Sequence, residues 1–180
     1  MSHLDRVLKD LEFKATKNDE KDVFMTRTFE GGMKAMAWDL KNPKKFDPET
    51  NSTVMIALVA PDGSFIDATK ITSIFHAKDL VRDWNVIAEA TRFKQAPEGK
   101  GAHFALFDKE NDGYAIIASR HPGFEFGATL YSVRSQYLRQ TDPDSQGLVG
   151  RYENVLGAMQ ALETQIQVDY DHAMEAAPSM

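Results

Sequence analysis

Any chemistry in this chain has to come from histidine, arginine, lysine, hydroxyl and carboxylate side chains, because the sequence holds no cysteine. That removes disulfides, thiolate nucleophiles and Cys-ligated zinc or iron–sulfur sites in one step. The densest run of candidates is Arg92-Phe93-Lys94-Gln95-Ala96-Pro97-Glu98-Gly99-Lys100-Gly101-Ala102-His103. Arg92, Lys94 and Lys100 sit there beside an aromatic ring and two glycines. As a cationic loop, the run would grip a phosphate or an acidic partner. A plainer account also fits, since cations that follow a helix are favoured by its dipole.

The five histidines are His3, His76, His103, His121 and His172. None stands three or four residues from another, so no local metal-ligand pair is visible and no metal site is expected. His103 falls in an apolar strand-like run and His121 at a strand end. With Arg120 they make a candidate pocket for binding or protonating an anionic ligand. Singly, each reads as hydrogen-bonded structure. Asp108-Lys109-Glu110-Asn111-Asp112-Gly113 offers oxygens at alternate positions and a sixth-place glycine, as a calcium loop does. Ser119 stands where calcium needs a bidentate glutamate, and the flanks read as strands, so a hairpin turn is expected. Signatures of a phosphate loop, a dinucleotide fold, a zinc helix and a serine elbow are absent. The sequence therefore predicts no catalytic residue and no cofactor. A second basic loop, Lys41, Lys44 and Lys45 with Phe46, is offset by Asp47 and Glu49. Phe104, Phe107 and Tyr114 would suit base stacking on an open sheet, but their strand spacing reads as core.

The elements that must position these groups follow from periodicity and turns. Leu4, Val7, Leu8 and Leu11 predict a helix over about 2–15, followed by a polar loop from Lys14. Val23 to Phe29 and Met33 to Leu40 form one hairpin around Gly31-Gly32. Thr53 to Ala60 and Ser64 to Ile71 form another around Pro61-Asp62-Gly63. Leu80, Trp84, Ile87 and Thr91 predict a helix over about 75–92. Arg92 to Gly101 reads as a loop, and Ala102 to Asp108 with Gly113 to Ser119 as a third hairpin. Residues 128–140 read as helix, with a strand from Phe126 as the alternative. Leu148, Tyr152, Val155, Met159, Leu162 and Ile166 step by 4-3-4-3-4, predicting a helix over 145–168 with a heptad-like seam. Residues 169–180 read as a frayed acidic tail.

The predicted architecture is α+β: an antiparallel sheet of about six strands built from hairpins, with an N-terminal, a central and a long C-terminal helix. A length of 180 residues predicts a single domain over 1–168. Element order alone is shared with profilin-, roadblock- and PAS-like sensor folds and with the OB barrel, and no motif accompanies either comparison. No internal repeat is visible.

The net charge of −6 is unevenly placed. Acids and bases balance up to residue 140, and beyond it seven acids face Arg151 alone. No apolar run approaches the ~20 residues that span a bilayer, and the start lacks an apolar signal region. A cytoplasmic protein without membrane contact is expected. The leading functional reading is a non-catalytic interaction module of adaptor, inhibitor or immunity type. It is expected to be homodimeric through the seam of Leu148, Tyr152, Val155, Met159, Leu162 and Ile166. The alternatives are a single-stranded nucleic-acid binder on an OB-like barrel and a small-ligand sensor or enzyme with a pocket at Arg120, His121 and His103.

Overall fold

The computed structural model of the chain describes residues 3–17, 23–39, 54–71, 73–97, 104–120 and 129–176. The chain divides into two compact units, Met1–Glu89 and Ala90–Met180.

The first unit opens with helix α1 (His3–Asp10). Its end is a Schellman motif: Phe13 N–H bonds Leu8 C=O at 2.9 Å and Glu12 N–H bonds Lys9 C=O at 2.9 Å. Glu12 takes the left-handed position at φ +65°, where glycine is usual. Leu8 and Phe13, the two ends of the motif, are both buried. Five strands follow: β1 (Lys14–Lys17), β2 (Val23–Thr28), β3 (Lys34–Asp39), β4 (Val54–Val59) and β5 (Phe65–Lys70). They lie side by side in sequence order, each antiparallel to the next. Ile56, Ala57 and Leu58 are buried in succession, so β4 is covered on both faces. Helix α2 (Ile74–Glu89) closes the unit beside α1 and the turn Glu30–Gly32. It buries Ala77, Leu80, Val81, Trp84, Ile87 and Ala88 at helical spacing. Each large one of these contributes roughly 1.5–3 kcal/mol by leaving water.

The second unit repeats the plan. Strands β6 (Phe93–Pro97), β7 (Phe104–Asp108), β8 (Tyr114–Arg120), β9 (Thr129–Ser135) and β10 (Leu148–Tyr152) form a second antiparallel sheet in sequence order. Short helix α3 (Gln136–Thr141) and the turn Pro143–Ser145 join β9 to β10. Helix α4 (Val155–Ala176) then lies against β8, β9 and β10. Asn154 starts it, accepting Gly157 N–H at 2.8 Å as an N-cap. Phe104, Leu106, Ile116, Val133, Val155 and Leu162 are fully buried.

The α+β class, the hairpin-built antiparallel strands, the three predicted hairpins and the long C-terminal helix all stand. The number of strands does not. Among the described residues there are ten strands in two sheets of five, where one sheet of about six was expected. Residues from Lys14, read as a loop, form β1, and the loop expected after Arg92 contains β6. Of the segment read as 128–140, the described residues take both alternatives in turn, β9 from Thr129 and then α3. The helix expected over 145–168 begins only at Val155. Gly147, at φ +75°, leaves the helical region, and 148–152 pair with β9 as a strand instead, with an irregularity between Leu148 and Gly150. Leu148 and Tyr152 therefore sit on β10, off the helical seam. The residues read as a frayed tail are helical through Ala176. Among the described residues neither sheet pairs its first strand with its last. No described helix is long and apolar enough to cross a membrane. The Lys41–Lys45 loop lies outside the described residues.

Candidate functional site

Arg92, first among the sequence candidates, is engaged within its own unit. Its Nε donates to Asp108 Oδ2 at 3.0 Å, and its Nη2 reaches the same oxygen. Glu110 and Glu163 lie 3.8 and 3.6 Å away, and the guanidinium stands 5.7 Å from the centre of the Phe93 ring.

 That cation–ring distance of 5.7 Å adds to the ion pairs, so Arg92 fastens β6 to the end of β7 and to α4. Asp108 in turn accepts from Glu110 N–H, Asn111 N–H and the Asn111 side chain. Burial pushes its carboxyl up, but Arg92 and these donors outweigh burial and hold it below the usual carboxylate range. The hydrogen bond to Asp108 in turn holds Arg92 above its ordinary value. The 108–113 segment is thus a hairpin turn whose first carboxylate is filled by donors and a cation. Among the described residues, no group of three His, Asp or Glu side chains could hold a metal.

Lys94 is exposed on edge strand β6. Lys100, His103 and His121 lie outside the described residues, and Arg120 ends β8 opposite Thr129. The seam residues Val155, Met159 and Leu162 are buried, and Ile166 is half-buried. Because α4 lies on β8, β9 and β10, its seam is taken up by its own sheet.

The seam does not stop at Ile166. Val155, Leu162 and Asp169 are seven residues apart, and Asp169 is only 4% exposed. A carboxylate there needs donors, and the unit supplies them. Ser135 Oγ donates to Asp169 Oδ2 at 2.7 Å, Tyr114 OH donates to it at 2.8 Å, and Gln165 Nε2 donates to Oδ1 at 2.6 Å. Ser135 Oγ also accepts Leu138 N–H at 3.0 Å, capping α3. One carboxylate therefore joins β8, the β9–α3 junction and α4. Burial first, then the bond to Asp169, pushes the Tyr114 hydroxyl up to about 12. Tyr114, whose strand spacing reads as core, is half-buried and donates a hydrogen bond here. Asp169 and Leu138 N–H engage the Ser135 hydroxyl, and among the described residues no histidine is bonded to it.

Above this network lies a surface cleft of about 740 Å³. Its described lining includes Ile117, Arg134, Gln136, Arg139, Gln140 and Gln146. Arg134 Nη1 donates to Gln146 C=O at 3.2 Å. Gly147 sits so close that a Cβ on it would meet Ser135 C=O at 2.6 Å. The first unit has a comparable depression of about 640 Å³ around Lys9, Glu12, Lys14 and Arg27. There Arg27 pairs with Glu12 at 3.3 Å and donates to Leu11 C=O at 3.0 Å.

Sequence reasoning missed Asp169, Ser135, Arg134 and Arg139. For Asp169 a signal existed, a charged residue continuing an apolar seven-residue step. The arginines gave none, because a strand–helix junction of unknown geometry separates them. No known protein family, curated protein or solved structure matches the chain.

Proposed function

We propose that this chain is a non-catalytic protein-interaction module that takes its partner on the last two turns of α4. The observation that carries this reading is the run from Tyr170 to Ala176, in which every residue is exposed. Tyr170 and Met174, one helical turn apart, are 60% and 59% exposed. Two turns of helix without tertiary support are marginal in water, and a partner covering them would supply that support.

Charge selects the kind of partner. Residues 155–176 carry Glu163, Asp169, Asp171 and Glu175 and no lysine or arginine. With Asp169 turned inward, the outer acids flank the apolar pair. A second copy on the same helix would oppose acid to acid, whereas a partner whose apolar surface is rimmed by lysine and arginine fits. This favours an adaptor or inhibitor of a basic protein over a symmetric homodimer or a nucleic-acid binder. The lack of cysteine is in keeping with a cytoplasmic setting.

A photo-crosslinking residue placed at Met174 in the native host, with one at exposed Lys78 as control, tests the reading. The expected product is one adduct with a basic protein, formed from position 174 only and lost when Tyr170 is changed to Ser. An adduct at twice 20.2 kDa, equal labelling from both positions, or no adduct would overturn it.

A further inference from the structure

We infer that the cleft at the β9–α3 junction is a binding site for a small phosphate monoester, independent of the α4 surface. Arg134 and Arg139 both line it, and no carboxylate is among its described lining residues. Of the six arginines whose side chains are described, three face carboxylates and Arg134, Arg139 and Arg151 do not, and of those only Arg134 and Arg139 share a cleft. Arg27 faces Glu12, Arg82 faces Asp79 and Asp83, and Arg92 faces Asp108, Glu110 and Glu163. Arg134 and Arg139 face no carboxylate among the described residues, although Asp142 and Asp144 follow closely in sequence. Arg151 is exposed on β10, outside the cleft.

Two like charges set in one cleft repel each other, and an anion between them removes that repulsion. The guanidinium fork matches phosphate oxygens in pairs, which gives direction as well as charge. The frame behind the arginines is already fixed. Ser135, between Arg134 and Gln136 in the chain, is held by Asp169 and by Leu138 N–H. Ser135 N–H bonds Gly147 C=O at 2.9 Å, and Gln136 N–H bonds Gly113 C=O at 2.9 Å. Binding therefore orders two side chains and leaves the backbone as it is.

The rest of the cleft defines the rest of the ligand. Gln136, Gln140 and Gln146 carry carboxamides, each with donors and an acceptor, which suit hydroxyl groups. Ile117 offers one apolar surface. A volume of about 740 Å³ admits a small metabolite. The ligand class is a hydroxylated phosphate monoester, with the phosphate between Arg134 and Arg139.

The test is a titration followed by side-chain Nε resonances of arginine, with inorganic phosphate, a hexose 6-phosphate and succinate as probes. The expected result is movement of the Arg134 and Arg139 signals, tighter binding of the sugar phosphate than of inorganic phosphate, and little response to succinate. Arg139→Gln, at an exposed position, should weaken sugar-phosphate binding by about tenfold or more, while Arg151→Gln leaves it unchanged. No movement with either phosphate would overturn the proposal, and so would equal losses in the two variants, which would indicate an adventitious ion only. Succinate binding as tightly as the sugar phosphate would overturn the phosphate assignment. Photo-crosslinking at Met174 would be unaffected by any of these outcomes.

Discussion

The two units share one plan, five antiparallel strands in sequence order closed by a helix, yet they fasten that helix differently. In the first, α2 is held by an apolar face centred on Trp84, which is fully buried. In the second, α4 is held at its start by Val155, Ala158, Met159 and Leu162, and further on by the carboxylate of Asp169. An apolar face tolerates small shifts of a helix, because burial has no direction. Hydrogen bonds from Ser135 and Tyr114 do not tolerate them. The polar fastening therefore fixes where α4 stands on its sheet, and with it the point at which the helix leaves its own unit.

The largest expected effect is on the apolar side. Trp84→Ala should destabilise the first unit by about 3–5 kcal/mol, seen as a lower urea midpoint. Little loss there would mean that α2 is not held as described. Next comes the polar side. Asp169→Ala leaves the buried Ser135 hydroxyl and the half-buried Tyr114 hydroxyl without their acceptor and should cost about 2–4 kcal/mol, while Asp169→Asn, which keeps an acceptor, should cost less. Equal losses in the two variants would place the effect in packing instead.

A third test uses pH. The Tyr114 hydroxyl is raised from 10.0 to about 12 in the folded chain, so the folded state holds this proton more tightly than the unfolded one. Its contribution is complete below pH 10 and falls away as pH rises through 12. Tyr114→Phe should remove that step from alkaline unfolding curves of the second unit. An unchanged step would assign it to another group. The smallest effect is at Glu12, whose φ of +65° suits glycine better. Glu12→Gly should stabilise the first unit by up to about 1 kcal/mol, less what the exposed contact with Arg27 contributes.

What the sequence made legible follows the same division. The interior strands β2, β3, β4, β7 and β8, and the edge strand β5, announce themselves through apolar residues and turns such as Pro61-Asp62-Gly63, whereas interior β9 reads first as helix. Three edge strands, β1, β6 and β10, do not. An edge strand has one neighbour, so it can carry Lys14 and Lys17, end on Pro97, or contain Gly150 and Arg151, all of which read as loop or as something else. In β10 the apolar residues Leu148 and Tyr152 also happen to fall in step with the helical seam, which carried the predicted helix too far upstream. At its other end the same helix was stopped too early, because Asp169 looks like solvent-facing charge until Ser135 and Tyr114 are seen beside it. Apolar burial repeats with a period and can be read from one segment. A polar contact across 34 or 55 residues of chain cannot.

Amide hydrogen exchange along α4 in the isolated protein tests the account most directly. Protection should run from Ala158 to Asp169, on the sheet side of the carboxylate, and fall sharply from Tyr170 to Ala176. Uniform protection through Ala176 would contradict it, because the chain itself would then cover the two turns assigned to a partner.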